Sequence, residues 1–198
     1  MVFITTHSDE VGYAAEENSL SRPHVALTLD DNKVHYISNE AIVQTVNITF
    51  PKEGCSTYYN GEYDVVLPFG MKAYVIVETQ TGCKYLEISN GDSSRNVIPA
   101  GTAVLLQIHE STAAQTLTVS LVEPRATSYT GSNLLHGSDV ATTTTGGAKY
   151  YKLTYSNNND NFGWYWGAPN GDAFTSPAHK VWLAFPTDTS STHIDLPD

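Results

Sequence analysis

The sequence predicts an all-β protein: an antiparallel β-sandwich, Ig-like or jelly-roll-like, with a short N-terminal arm and hairpin. The first observation is a pattern in which a proline opens a turn and a β-branched or aromatic run follows. It occurs three times, starting at Leu67, Ile98 and Ser176. The second is composition, since 16% charged residues and 12 tyrosines favour strands over helices. The third is the regular spacing of short apolar segments, which is typical of sandwiches and barrels.

The 198 residues divide into three predicted parts. Residues 1–40 are predicted to form a loose arm followed by a docking hairpin. In its first strand Val25, Leu27 and Leu29 alternate with smaller or polar residues before a turn at 31–32. Residues 41–186 carry the remaining short strands and form the sandwich domain. Residues 187–198 are rich in Thr, Ser, Asp and Pro and are predicted to be a flexible tail.

The strands of the sandwich domain follow from alternation and from turn residues. Val46, Ile48 and Phe50 alternate with polar residues and stop at Pro51, as expected for a half-buried strand. A loop rich in Gly, Tyr and Asn is predicted at 51–62. The other predicted strands are 63–67, 72–78, 85–89, 103–109, 116–122, 148–155, 163–167 and 181–185. No segment has the apolar face of a substantial helix.

The net charge of −11, from 21 acidic and 10 basic residues, restricts the classes of partner. Without a basic stripe, the chain is not expected to bind nucleic acid or an anionic membrane surface. No apolar run approaches the roughly 20 residues of a membrane-spanning helix, so membrane insertion is not expected either. Residues 1–4 lack the basic start and the long apolar stretch of a signal peptide, so synthesis and retention in the cytoplasm, or release by lysis, is expected.

Reactive motifs are scarce in this sequence. Cys55 and Cys83 fit neither a redox motif nor a zinc motif. In an exported domain they could pair, whereas we favour two unpaired thiols in a cytoplasmic product. The seven histidines are scattered, and no nucleophile elbow, zinc-protease or phosphate-loop motif occurs. We therefore predict no catalytic residue, no metal and no cofactor, although a carboxylate pair assembled in space, as in glycosidases, stays open.

The strongest candidate for a binding site is the aromatic block at 162–167. In a strand, its two tryptophans share one face and the tyrosine between them takes the other. Exposed indoles would stack on sugar rings, and neighbouring polar residues would hydrogen-bond the sugar edges. The alternative, that both indoles fill the core, is favoured by the usual burial of large aromatic side chains. The glycan-binding candidates are Trp164, Trp166, Tyr165, Asn159 and Asp172.

Several segments of the larger part match a known module in the same order. They are 58–59, 66–68, 73–74, 97–106, 131–135, 150–153 and 177–183. On these segments the chain resembles a β-sandwich module that recurs near the C-termini of Bacteroidetes cell-surface proteins, including leucine-rich-repeat and adhesin-like proteins. The resemblance supplies no catalytic residues and implies a structural or binding role.

The N-terminal part resembles a different group of proteins. Its segments 22–27 and 33–37 are similar to a short opening element of structural proteins from crAss-like phages that infect the same bacteria. The absence of a signal peptide agrees with this resemblance. It implies particle-docking candidates at Arg22, Pro23, His24, Val25 and Tyr36.

Together these features indicate a non-enzymatic virion protein, an auxiliary capsid (decoration) or head-fibre protein of a Bacteroidetes phage. Its expected partners are the major capsid protein or other virion proteins, and its expected location is the virion after synthesis in the host cytoplasm. The alternative is a carbohydrate-binding or adhesion module of a Bacteroidetes cell-surface protein, with host glycans as partners. Thr-rich edge strands leave a homo-oligomer open.

Overall fold

Two compact units divide the chain, one formed by residues 1–41 and the other by residues 42–198. The structure, a computed structural model, describes residues 3–4, 35–36, 42–80, 82–88, 96–109, 111–156 and 161–197. In the smaller unit, strands β1 (Phe3–Ile4) and β2 (His35–Tyr36) pair in antiparallel fashion. The hairpin strand predicted around Val25 lies outside the described residues.

The regular secondary structure of the larger unit is almost entirely antiparallel strand, which confirms the predicted all-β class. In chain order they are β3 (Ile42–Phe50), β4 (Cys55–Tyr58), β5 (Asp64–Leu67), β6 (Lys72–Thr79), β7 (Gly82–Glu87), β8 (Asn96–Ile98), β9 (Val104–Gln107), β10 (Gln115–Val122), β11 (Leu135–Gly137), β12 (Thr142–Thr143), β13 (Tyr150–Tyr155), β14 (Phe162–Trp166), β15 (Thr175–Ser176), β16 (Val181–Ala184) and β17 (His193–Ile194). The one helix among the described residues is a 3₁₀ turn at Pro169–Gly171.

These strands form three stacked layers. The first sheet has the order β3-β10-β5-β8, the central sheet β4-β9-β6-β7, and the third sheet β11-β16-β13-β14-β17. A two-stranded ribbon, β12-β15, accompanies them. The first core, between the first and central sheets, contains Leu106 and Leu121. The second core, between the central and third sheets, contains Leu105 and Trp164.

The central sheet is buried on both faces, and its sequence reflects this. Leu105 and Leu106 are neighbours in β9, and both have 0% exposure although they face opposite cores. Strands covered on both sides are continuous apolar runs, as β6 and β9 are, whereas strands covered on one side alternate, as β10 does. The predicted sandwich is therefore built from two cores that share one sheet.

The repeated proline pattern produces the same tight turn three times. In each turn the proline carbonyl accepts the backbone N–H three residues later at 3.2 Å, which links Pro68 to Met71, Pro99 to Thr102 and Pro177 to Lys180. The third residue of each turn has a positive φ, with values of 84° at Gly70, 79° at Gly101 and 60° at His179. Glycine is the usual residue at this position of a type II turn, so His179 departs from the pattern.

A buried carboxylate fixes the loops at one end of the first sheet. Asp64 is 2% exposed. One of its oxygens accepts the N–H of Ala100 at 2.8 Å, and the other accepts the N–H groups of Arg125 and Ala126, both at 2.7 Å. Three backbone donors thus satisfy a group that would otherwise be costly to bury.

Several local features differ from the sequence predictions or refine them. The segment 51–62, predicted as a loop, contains β4, which forms an edge of the central sheet. The segment 187–198, predicted as a flexible tail, contains β17, where Ile194 lies opposite Trp164. Cys55 and Cys83 are not joined by a disulfide, and burial raises the pKa of the Cys83 thiol.

Candidate functional site

Five side chains form one row across the outward face of the third sheet. The register places His136 opposite Trp182, Trp182 opposite Lys152, Lys152 opposite Tyr165, and Tyr165 opposite His193. Their neighbours along each strand pack in the second core, so alternation directs the row away from that core. At the usual strand spacing of about 4.8 Å, the row is about 19 Å long. We call these five residues the outer row.

Each end of the outer row carries a pair of nearly parallel rings. The rings of His136 and Trp182 make an angle of 19° with centroids 6.0 Å apart. At the other end, the rings of Tyr165 and His193 make an angle of 24° with centroids 4.5 Å apart. Lys152 is exposed between the pairs. Flat aromatic surfaces beside polar groups suit ligands that have both an apolar face and hydroxyl groups.

A cavity of about 460 Å³ lies at the Trp182 end of the row, and we call it the Trp182 cavity. Trp182 and Tyr150 supply aromatic surface, and residues 143–145 supply three threonines. The hydroxyl groups of Thr145 and Tyr150 are 3.1 Å apart. The volume lies in the range of small-molecule sites.

The charge around the Trp182 cavity differs from that of the whole chain. Lys149 lines it, and its ammonium nitrogen lies 5.4 Å from the centroid of the Tyr150 ring. None of the lining residues is acidic, whereas the chain carries a net charge of −11. Asp188 lies near Lys149, since a Cβ on Gly147 would lie 3.0 Å from Asp188 Oδ1 and 3.7 Å from Lys149 Cε. The one charged residue that lines the cavity is therefore a lysine, and a carboxylate lies near it.

Burial lowers the pKa of His136, the histidine of the Trp182 cavity. The imidazole therefore favours its neutral form at neutral pH, in which one ring nitrogen donates and the other accepts a hydrogen bond. A neutral imidazole therefore suits recognition of a hydroxyl group, which can also both donate and accept a hydrogen bond.

A second cavity, of about 530 Å³, lies towards the other half of the row. Its lining includes Lys152, Thr154 and Tyr165 from the outward face, and none of its lining residues is acidic. A third cavity, of about 320 Å³, also includes Lys152 and runs along the edge strand β4. Two cavities therefore border the outward face of this sheet, and the third lies at the edge between the central and third sheets.

The third cavity contains a serine beside a lysine, a combination found in some hydrolases. Lys180 Nζ donates to Ser56 Oγ at 3.5 Å, and burial lowers the pKa of the Lys180 ammonium. This distance exceeds the roughly 2.6–3.2 Å of an activated nucleophile and its base. Ser56 is also only 6% exposed, so a substrate has little access to its hydroxyl. The contact is therefore a structural hydrogen bond between the side chains of Lys180 and Ser56, at the edge of the central sheet.

The glycan-binding candidates predicted from the sequence differ in how far the structure exposes them. Trp164 is 0% exposed and belongs to the second core, so its indole offers no surface to a sugar. Trp166 is half-buried against the same core, whereas Tyr165 lies in the outer row. Asp172 is exposed and follows the 3₁₀ turn. Asn159 lies outside the described residues.

The particle-docking candidates fall mostly outside the described part of the chain. Arg22, Pro23, His24 and Val25 are among the residues that it does not include. Tyr36 lies in β2, opposite Phe3 of β1. The docking role of these five residues stays a prediction.

Sequence reasoning missed four members of the outer row. A signal for Trp182 was present, since it lies between Val181 and Leu183 and alternation then places it on the face opposite those two. His136 and His193 lie in strands of three and two residues, which are too short for a periodic pattern.

Two further features are absent from the described part of the chain. It contains no group of three or more His, Cys, Asp or Glu side chains placed to hold a metal ion. It also contains no helix long and apolar enough to cross a membrane. Comparison with family models, curated proteins and solved structures finds no match to this chain.

Proposed function

We propose that the protein is a non-enzymatic virion component, an auxiliary capsid (decoration) or head-fibre protein of a Bacteroidetes phage. The observation that carries the proposal is the division into a small unit, 1–41, and a three-layer unit, 42–198. In this proposal the small unit docks on the major capsid protein or another virion protein, and the larger unit is displayed on the particle.

The construction of the larger unit supports a display role. Two cores share its central sheet, so a chain of modest length buries apolar side chains on four sheet faces. A unit of 41 residues is large enough to form a docking interface, since one side of a standard interface contributes about 20–30 residues. Among the described residues β3 is an edge strand, and an edge strand can pair with a second copy of the chain, so a homo-oligomer is part of the same proposal.

Quantitative mass spectrometry of purified particles tests this proposal. A copy number comparable to that of the major capsid protein is expected for a decoration protein, and a much smaller number for a fibre. Absence from particles, with recovery in the cell envelope, would overturn the virion proposal.

A truncation tests which part docks. Residues 42–198 alone should keep their circular dichroism spectrum and lose binding to particles that lack the protein. The matched control is the full chain with Phe69→Ala, which removes an exposed side chain from the larger unit and should bind normally. Normal binding by the truncated chain would contradict the docking role of the small unit.

The second proposed function is a carbohydrate-binding or adhesion module of a Bacteroidetes cell-surface protein. The outer row favours it, because aromatic rings, histidines and a lysine lie together on an outward face bordered by cavities. Binding of host polysaccharides, followed by tryptophan fluorescence, tests it. A spectrum unchanged by every polysaccharide tried would count against glycan binding.

A further inference from the structure

We infer that the Trp182 cavity binds a carboxylate-bearing sugar residue, a uronic acid, of a glycan that lies along the outer row. This inference rests on the second proposed function, glycan binding, and adds the subsite and the class of sugar. It applies equally to a protein displayed on a particle and to one on a cell surface.

Trp182 supplies the aromatic surface of the proposed subsite. Its ring is half-exposed on the outward face and is held beside the nearly parallel ring of His136. Val181 and Leu183, on either side of Trp182, are buried in the second core and fix the backbone that carries it. A fixed aromatic surface binds the apolar face of a sugar ring with little loss of side-chain entropy.

Hydroxyl groups around the Trp182 ring supply the polar contacts of the proposed subsite. The threonines at 143–145 and the phenol of Tyr150 line the same cavity, and each can both donate and accept a hydrogen bond. Each threonine hydroxyl already has one partner within the chain: Thr143 pairs with Thr175, Thr144 accepts the N–H of Phe174, and Thr145 pairs with Tyr150. The hydroxyl groups retain further hydrogen-bonding capacity, which suits sugar hydroxyls of the same dual character. The neutral imidazole of His136 adds one donor and one acceptor.

Two lysines, Lys149 and Lys152, are the reason that we expect the sugar to be acidic. Lys149 is the cation in the Trp182 cavity, and none of the lining residues is a carboxylate. In a chain of net charge −11, an acidic glycan would be repelled except where lysines are concentrated. Asp188 lies near Lys149 but is not among the residues that line the cavity, so the lining itself presents a lysine and no carboxylate. Lys152, next to Trp182 in the row, supplies a second cation, which can bind the carboxylate of the next acidic sugar along the glycan.

The experiment uses the full chain and two forms of one polymer. Polygalacturonate carries a carboxylate on each sugar, and its methyl ester has the same backbone without the charge. We expect binding of polygalacturonate, measured by calorimetry and tryptophan fluorescence, to be about tenfold tighter than binding of the ester, as loss of a charge-assisted hydrogen bond implies.

Variants connect this binding to the cavity. Lys149→Gln should weaken binding of polygalacturonate about tenfold while leaving binding of the ester unchanged, and Trp182→Ala should weaken both. Lys84→Gln, an exposed lysine on the central sheet, is the control and should have no effect. If Trp182→Ala lowers the melting temperature, Lys149→Gln still tests the charged contact.

The outcomes separate the two hypotheses. Equal binding of polygalacturonate and its ester would retain glycan binding and overturn the acidic-sugar inference. Failure to bind both, together with failure to bind host polysaccharides, would overturn glycan binding as well. Equally tight binding of oligo-dT would indicate a general preference for polyanions with flat rings and would also overturn the inference.

Discussion

Tyr59 and His179 are joined by two reciprocal hydrogen bonds. The backbone N–H of Tyr59 donates to the carbonyl of His179, and Nδ1 of His179 donates to the carbonyl of Tyr59, both at 3.1 Å. The same nitrogen lies 3.3 Å from Oδ1 of Asp139. This clamp connects the end of β4, in the central sheet, to the turn that precedes β16, in the third sheet. It also explains why a histidine occupies a turn position that glycine occupies elsewhere in the chain.

Replacing His179 by alanine should destabilise the protein by about 1–2 kcal/mol, because the ring hydrogen bond is lost while the positive φ remains. Asn170→Ala is the matched control, since Asn170 has a φ of 58° and is exposed. Both alanine variants retain a left-handed residue, so the difference between them measures the ring contacts. Urea unfolding provides the measurement, and equal losses for the two variants would show that the clamp adds no stability.

The shared central sheet should make the larger unit unfold in one step. Leu106→Ala opens a hole in the first core and should cost about 2–5 kcal/mol, and Leu105→Ala should cost a similar amount from the second core. The three tryptophans all lie in the third sheet, so their fluorescence reports on the layer remote from Leu106. Leu106→Ala should therefore shift the fluorescence and circular dichroism midpoints equally. A shift in circular dichroism alone would show that the layers unfold separately.

Asp64→Asn should destabilise the protein by about 2–4 kcal/mol, because an amide has one oxygen for three backbone donors and directs an NH₂ group towards some of them. Asp172→Asn, at an exposed carboxylate, is the control and should change the free energy of unfolding little. Chemical denaturation at neutral pH measures both. A midpoint for Asp64→Asn that matches the wild type would show that the three N–H contacts contribute little.

The lowered pKa of His136 predicts a pH dependence of stability. Its pKa in the folded state lies below the ordinary histidine value of 6.5, so the unfolded chain takes up the proton first as the pH falls. The contribution of this group is therefore complete above pH 6.5 and decreases as the pH falls from there towards the folded-state pKa. His136→Gln should flatten this part of the melting temperature curve. Parallel curves for the variant and the wild type would contradict the assignment.

Sequence reasoning succeeded where a pattern has a local physical cause. The alternation of Leu117, Val119 and Leu121 predicted a strand, and β10 confirms it. The proline turns were visible because proline and glycine restrict the backbone directly. In contrast, β4 and β17 are short and polar, and they are strands because neighbouring strands supply hydrogen-bond partners. Such strands depend on residues distant in sequence, so no local pattern reveals them.

The candidate site was harder to predict for a related reason. Alternation correctly placed Trp164 and Trp166 on one face of a strand, but it could not show which face meets another sheet. Which face is buried depends on the position of the central sheet. The central sheet is buried on both faces, as the continuous apolar runs of β6 and β9 indicate. The same rule applied to β16 places Trp182 outward, because Val181 and Leu183 face the core.

The three-layer arrangement has a consequence for how this protein can evolve. A substitution in β9 is constrained by two cores at once, whereas one in the outer row changes a surface on which neither core depends. Related chains should therefore diverge fastest at His136, Lys152, Tyr165, Trp182 and His193 and slowest in the central strands. Under the proposed glycan-binding function, a lineage would change the polysaccharide that it binds through a few substitutions on a single sheet face, with its architecture intact.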